Sequence, residues 1–146
     1  MAGDPCEDGG LTSPADALRR LRDAAASGEL DVLCARHSVR VLTVFGSAGR
    51  GEDIARDLDV GVLVEPGAEF DVVAVITDIV ELTGTDAVDV AHLNRGGPVI
   101  RERALVGSVV LYESRPGALA EAQVAAIAER IETDPMRRLD LELLAG

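Results

Sequence analysis

The chain has 146 residues, enough for one real core and too few for two. Hydrophobic residues make up 47% of it, which excludes a disordered polymer, and aromatics at 2% leave almost nothing on which to stack bases. The net charge of -12 excludes the basic face of a sequence-independent nucleic-acid binder, so no direct nucleic-acid binding is expected.

Every Lys/Arg-type cation is an arginine, because the sequence has no lysine. A Walker-type phosphate loop and Schiff-base chemistry are thereby excluded. Cys6 and Cys34 are too few and too differently placed for a disulfide framework or a zinc site, and read as free thiols of a reducing cytoplasm. No apolar run approaches the length of a membrane span, and the acidic start is unlike a signal peptide. The expected location is cytoplasmic, with no membrane partner.

Residues 1–10 read as a flexible leader and residues 11–146 as a single domain. Ser13-Pro14-Ala15-Asp16 forms an N-cap, a proline at the first helical position and a capping-box acid, and Gly28 ends that helix. A second short helix spans Glu29 to Arg36. Val39 to Phe45 is a β-branched strand ended by Gly46-Ser47. Leu58, Val60, Val62 and Val64 alternate with Asp57, Asp59 and Gly61, a period-2 strand with one apolar face. Phe70 to Thr83 is helical, with Val72, Val73, Ile76, Ile79 and Val80 as its core stripe. Ala87 to Leu93 is a third strand, Pro98 to about Val106 a helix, and Ser108 to Tyr112 a fourth strand. Gly117 to Ile131 is a helix with Val124, Ile127 and Ile131 on one face, and Asp134-Pro135 restarts a short final helix. About ten residues join the first two strands, too few for a parallel crossover. The fold class is therefore α/β (α+β), a small mixed β-sheet with helices packed on it.

Residues two apart on a strand share a side, so Asp57 and Asp59 project together. Gly61 follows on that side and is expected to leave room, and Asp89 has small neighbours in Ala87 and Ala91. Crowded carboxylates repel one another, and a fold tolerates them readily when a cation sits between them. Magnesium suits such a site because it takes oxygen ligands from a few carboxylates and from substrate phosphates. Gly46 lets backbone amides approach a phosphate, Ser47 adds a hydroxyl, and a helix beginning near Ala48 would aim its positive end at the same anion. Arg50, with Arg56 as a further candidate, supplies positive charge. His37 and His92 read as surface or hydrogen-bonded histidines, and Tyr112 as packed on its strand.

The run Phe45-Gly46-Ser47-Ala48-Gly49-Arg50-Gly51-Glu52, followed by Asp57-Leu58-Asp59-Val60, resembles the signature of the DNA polymerase β-like nucleotidyltransferases. It is most similar to the minimal nucleotidyltransferase branch. The likeness continues through Val88-Asp89-Val90 and through Arg101 to Glu113, about half the chain in all. The resemblance implies a polymerase β-like nucleotidyltransferase fold, with Gly46 and Ser47 holding a nucleoside triphosphate, beside which Arg50 is the candidate cation. Asp57, Asp59 and Asp89 would then be the catalytic residues and the ligands of two Mg2+ ions.

The implied activity is adenylyl transfer (AMPylation) from ATP to a hydroxyl of a partner protein. By the same resemblance the chain is the antitoxin of a toxin-antitoxin pair whose partner is a HEPN ribonuclease toxin. A homo-oligomer is left open. The chain departs from the family pattern by one residue fewer between Gly46-Ser47 and Asp57, and by Arg56 where serine or threonine is usual. These departures keep two alternatives open: a weakened antitoxin acting by binding alone, and a transferase for a small aminoglycoside-like molecule.

Overall fold

The computed structural model describes residues 13–49 and 57–145, without the side chains of Ser47 and of residues 133–145. The expected leader, residues 1–10, lies outside the described residues. The elements are α1 (Pro14–Ser27), α2 (Glu29–Arg36), β1 (Val39–Phe45), α3 (Gly46–Gly49), β2 (Leu58–Val64), α4 (Val72–Thr83), β3 (Val88–His92), α5 (Pro98–Leu105), β4 (Val109–Glu113) and α6 (Ala118–Ala145).

The strands form one sheet in the order β3-β2-β1-β4. β1 is antiparallel to both β2 and β4, whereas β2 and β3 are parallel. This is the mixed sheet expected from the short β1–β2 link, which turns the chain back beside itself. The longer connection through α4 serves the parallel β2–β3 pair. Among the described residues no helix is long and apolar enough to cross a membrane.

Strand alternation divides the core in two. Leu58, Val60, Val62 and Val64, with Leu42 and Val44, pack against Leu21 and Leu30 of α1 and α2 and against Val75 and Ile79 of α4. Each such side chain contributes roughly 1.5–3 kcal/mol by leaving water. Cys34 of α2 is buried here, a free thiol pushed up to about 12 by burial and then by Asp31, and so unreactive. The opposite face holds Val41, Phe45 and Leu93 beneath α5 and α6, whose contribution is mostly methyl groups: Ala104, Ala118, Ala122 and Ala126, with Leu105.

Two helices turn a different face inward than periodicity predicts. In α6 the alanines face the core, while Val124 and Ile131 are 68% and 65% exposed and Ile127 is also exposed. Mostly small side chains pack α6 against α5 and the sheet, and flanking polar contacts hold the rotation. Gln123 Nε2 donates to the Leu105 carbonyl at 2.9 Å, and Arg101 pairs with Glu129. In α4, Asp71 rather than Phe70 opens the helix, accepting from the Ala74 amide at 3.1 Å. Its buried face is Val75, Ile79 and Thr83, leaving Val72 and Val73 outward. Nor does a new helix begin at Asp134-Pro135, since α6 runs on to Ala145. A helical proline forfeits one N–H bond and crowds the carbonyl four residues earlier, a local cost that a long helix absorbs.

Candidate active site

β1 ends at Phe45, which lies opposite Asp59 in the antiparallel register. The chain then turns at Gly46, with φ +70°, directly into the single turn of α3, two residues ahead of the expected start at Ala48. A side chain at Gly46 would be strained by that backbone angle. It would also collide, because a Cβ built there lies 2.3 Å from Oδ2 of Asp59. The turn and the carboxylate are therefore in direct apposition.

The parallel register sets Asp59 opposite Asp89. Asp57 is exposed just before β2, near enough for its charge to act on Asp59. Burial, then the charge of Asp89, then that of Asp57 push the half-buried Asp59 carboxyl above the usual carboxylate range, with Arg103 of α5 opposing them. The fold thus keeps like charges together, at the expense of the carboxylate in their midst.

Gly61 does not leave room for a ligand. A Cβ there would stand 2.8 Å from Thr43 Oγ1 and 3.0 Å from the Ala104 Cβ. The glycine lets α5 settle onto the sheet, where Thr43 Oγ1 donates to the Ala104 carbonyl at 2.6 Å. Ala91 packs into the same cluster. α5 therefore covers this face from Gly61 onward, and Asp59 and Asp89 stand just beyond its cover.

Of the other candidates, Ser47 lies in the α3 turn, its hydroxyl outside the description. Arg50, Glu52 and Arg56 also lie outside the described residues. A cation that sequence reasoning missed is Arg103. With Phe45, Gly46, Gly49, Val106 and Gly107 it lines a pocket of about 210 Å³ beside the acids. Nothing in Arg101-Glu102-Arg103 distinguishes the two arginines until α5 is placed.

A carboxylate-only set bearing mutual repulsion fits a hard cation in its donor chemistry. As the side chains stand, no three acid, histidine or cysteine groups among the described residues converge closely enough to hold a metal ion. The fit is one of donor type and placement, not of a ready-made cage. A roomier pocket, about 830 Å³, lies at the other end of β2 and β3, lined by Val64, Phe70, His92, Asn94 and Arg95 among others. None of the three acids lines it. There His92 stacks on Phe70 at 4.3 Å, and burial, then Arg95, holds its imidazole below the ordinary range. His37 is hydrogen-bonded to Asp78 at 2.6 Å on the far face of the sheet.

The model of the family described as Polymerase beta, Nucleotidyltransferase matches residues 29–116, more than half the chain. The chain belongs to that family. The match includes every element from α2 to β4, and with them Gly46, Ser47, Asp57, Asp59 and Asp89. No curated protein matches the nucleotidyltransferase.

Among solved structures, it is similar to a chain of a toxin-antitoxin complex with AMP-PNP, at 15% identity and a TM-score of 0.65, covering 82% of this chain and 98% of that one. It is likewise similar to a chain of the tri-AMPylated Shewanella oneidensis HEPN toxin in complex with MNT antitoxin, at 15% identity and a TM-score of 0.62, covering 86% and 99%. A chain of the MntA-HepT toxin-antitoxin is a third, at 14% identity and 0.60, covering 82% and 96%. At these identities the likeness is one of fold. The mixed sheet with helices packed on it is thus the polymerase β-like nucleotidyltransferase fold that the sequence motifs implied.

Proposed function

We propose that this nucleotidyltransferase moves AMP from ATP to a hydroxyl of a partner protein, and that it is the cytoplasmic antitoxin of a HEPN-type toxin. The observation that carries the reading is the register that sets Asp59 beside Asp89 and against the Gly46 turn, in a chain of this family. Support for the nucleotide and the partner comes from the similar folds, one in a complex with AMP-PNP and one from a complex with a tri-AMPylated HEPN toxin.

Gly46, Ser47 and Arg50 receive the triphosphate, and Asp57, Asp59 and Asp89 hold the magnesium ions. When bound, magnesium neutralises phosphate charge and polarises the α-phosphate. The acceptor oxygen attacks the α-phosphorus, its proton passes to Asp89, and the bond to pyrophosphate breaks with its electron pair leaving on the pyrophosphate. The glycine turn orients the phosphates, and the acceptor enters from the open side beyond α5 in this reading. Mixing the protein with ATP, magnesium and the product of the adjacent gene, then weighing that product, tests the reading. Mass gains in adenylyl steps, lost with Asp57→Asn, are expected; an unchanged mass in the presence of the native enzyme would count against it.

A second reading, neutralisation by contact alone, rests on Arg56 and the shortened spacing before Asp57. It requires that the folded Asp57→Asn, Asp59→Asn double variant still silence the toxin.

A further inference from the structure

Two arginines occupy one turn of α5, and the fold uses them differently. Arg101 donates to the Leu93 carbonyl at 3.1 Å and pairs with Glu129, so it ties α5 to the segment leaving β3 and to α6. Arg103 is exposed, and no ion pair or hydrogen bond among the described residues engages it. Its charge is felt by Asp59 without the two forming a salt bridge. Its side chain lines the pocket bounded by Phe45, Gly46 and Gly49. At about 210 Å³ that pocket is smaller than the roughly 300 Å³ at which sites for whole small molecules begin. Its size suits phosphate groups. Three glycines in its wall, Gly46, Gly49 and Gly107, bring backbone close to whatever enters, and a guanidinium fork suits phosphate oxygens in pairs.

We propose that Arg103 is a nucleotide-binding residue that clamps the phosphate chain of the triphosphate from the α5 side, opposite Gly46 and Gly49. The inference rests on the nucleotidyl-transfer reading above. It gives the phosphate subsite a cation from an element far along the chain from the glycine turn. Because α5 is pinned by Arg101, Thr43 and Gln123, the charge is held at a set distance from the acids.

Binding of ATP, inorganic tripolyphosphate and adenosine to the purified full chain in magnesium, by calorimetry, tests this. Arg103→Gln is expected to weaken ATP and tripolyphosphate by about 10- to 100-fold, leaving adenosine within about twofold, and Arg103→Lys to restore part of the loss. With the adjacent gene's product as acceptor, KM for ATP should rise more than kcat falls. Unchanged ATP affinity in a folded Arg103→Gln variant would overturn the inference, as would an equal loss for ATP and adenosine. Native protein that binds tripolyphosphate through Arg103 but no adenine nucleotide would keep the clamp and remove ATP as the substrate. Native protein that binds neither would remove both.

Discussion

The two faces of the sheet put carboxylates to opposite uses. On the face covered by α1, α2 and α4, Asp78 accepts from His37 at 2.6 Å and from Arg36 at 3.0 Å. The His37 hydrogen bond first, and the Arg36 contacts after it, hold the Asp78 carboxyl below the usual range. On the face covered by α5 and α6, Asp59 meets Asp89 and Asp57, and its carboxyl is pushed up. The first face is filled with leucine, isoleucine and valine; the second is closed mostly by alanines and ends short of the acids. Asp78 is thus matched with hydrogen-bond donors, whereas Asp59 is crowded by its own kind.

The contrast breaks most visibly at Asp59. Asp59→Asn should lower adenylyl transfer by roughly 10³-fold, measured as the rate of partner mass gain. In the absence of divalent metal it should also raise the melting temperature by about 2 °C, because a repelling charge is gone. A loss of stability instead would mean that the acid supports the fold. Gly46→Ala comes next, with a Cβ 2.3 Å from Asp59 Oδ2 at a left-handed φ. Transfer should fall about 100-fold as the turn is displaced, with roughly 1–2 kcal/mol lost in chemical denaturation.

Asp78→Asn should do the reverse of Asp59→Asn. About 1 kcal/mol of stability should go, while transfer stays near the native rate. pH sharpens the pair further. Asp78's lowered pKa means that its stabilisation is complete above the unfolded carboxyl value and fades as pH falls through the folded one. The gap between native protein and Asp78→Asn should therefore narrow from about pH 5 downward. Asp59's raised pKa has the opposite sign: the folded chain takes up the proton first, so its charge penalty is relieved as pH falls. The advantage of Asp59→Asn should shrink as pH falls through the raised folded value toward the ordinary carboxylate range of about 4. The smallest effect belongs to α6: Ile131→Ser should change stability by no more than about 0.5 kcal/mol, since that side chain faces water.

Much of this was legible along the chain. Ser13 caps α1, with Oγ accepting from the Asp16 amide at 3.2 Å, and Gly28 ends it. β2 alternates as written, and Asp59 lies in register with Asp89 on the neighbouring strand. Such signals are local: a cap, a turn or an alternating strand is decided by residues within a few positions of one another. The identity of the family was carried in the same way, by motifs around Gly46, Asp57 and Asp89.

The remainder depended on which surfaces meet. Val124, Ile127 and Ile131 make the better apolar stripe by composition, yet Ala118, Ala122 and Ala126 face the core, with α6 held in that rotation by the Gln123 and Arg101 contacts between it and α5. Gly61 looks like open space in the sequence and is filled by Thr43 and Ala104 in the fold. Arg101 and Arg103 are indistinguishable until α5 lies on the sheet and turns one toward Glu129 and the other toward the acids. Local patterning by itself determined most of the elements and the motifs of the family. Contacts between residues distant in sequence, limited by volume and by charge, decided what each acid and arginine faces.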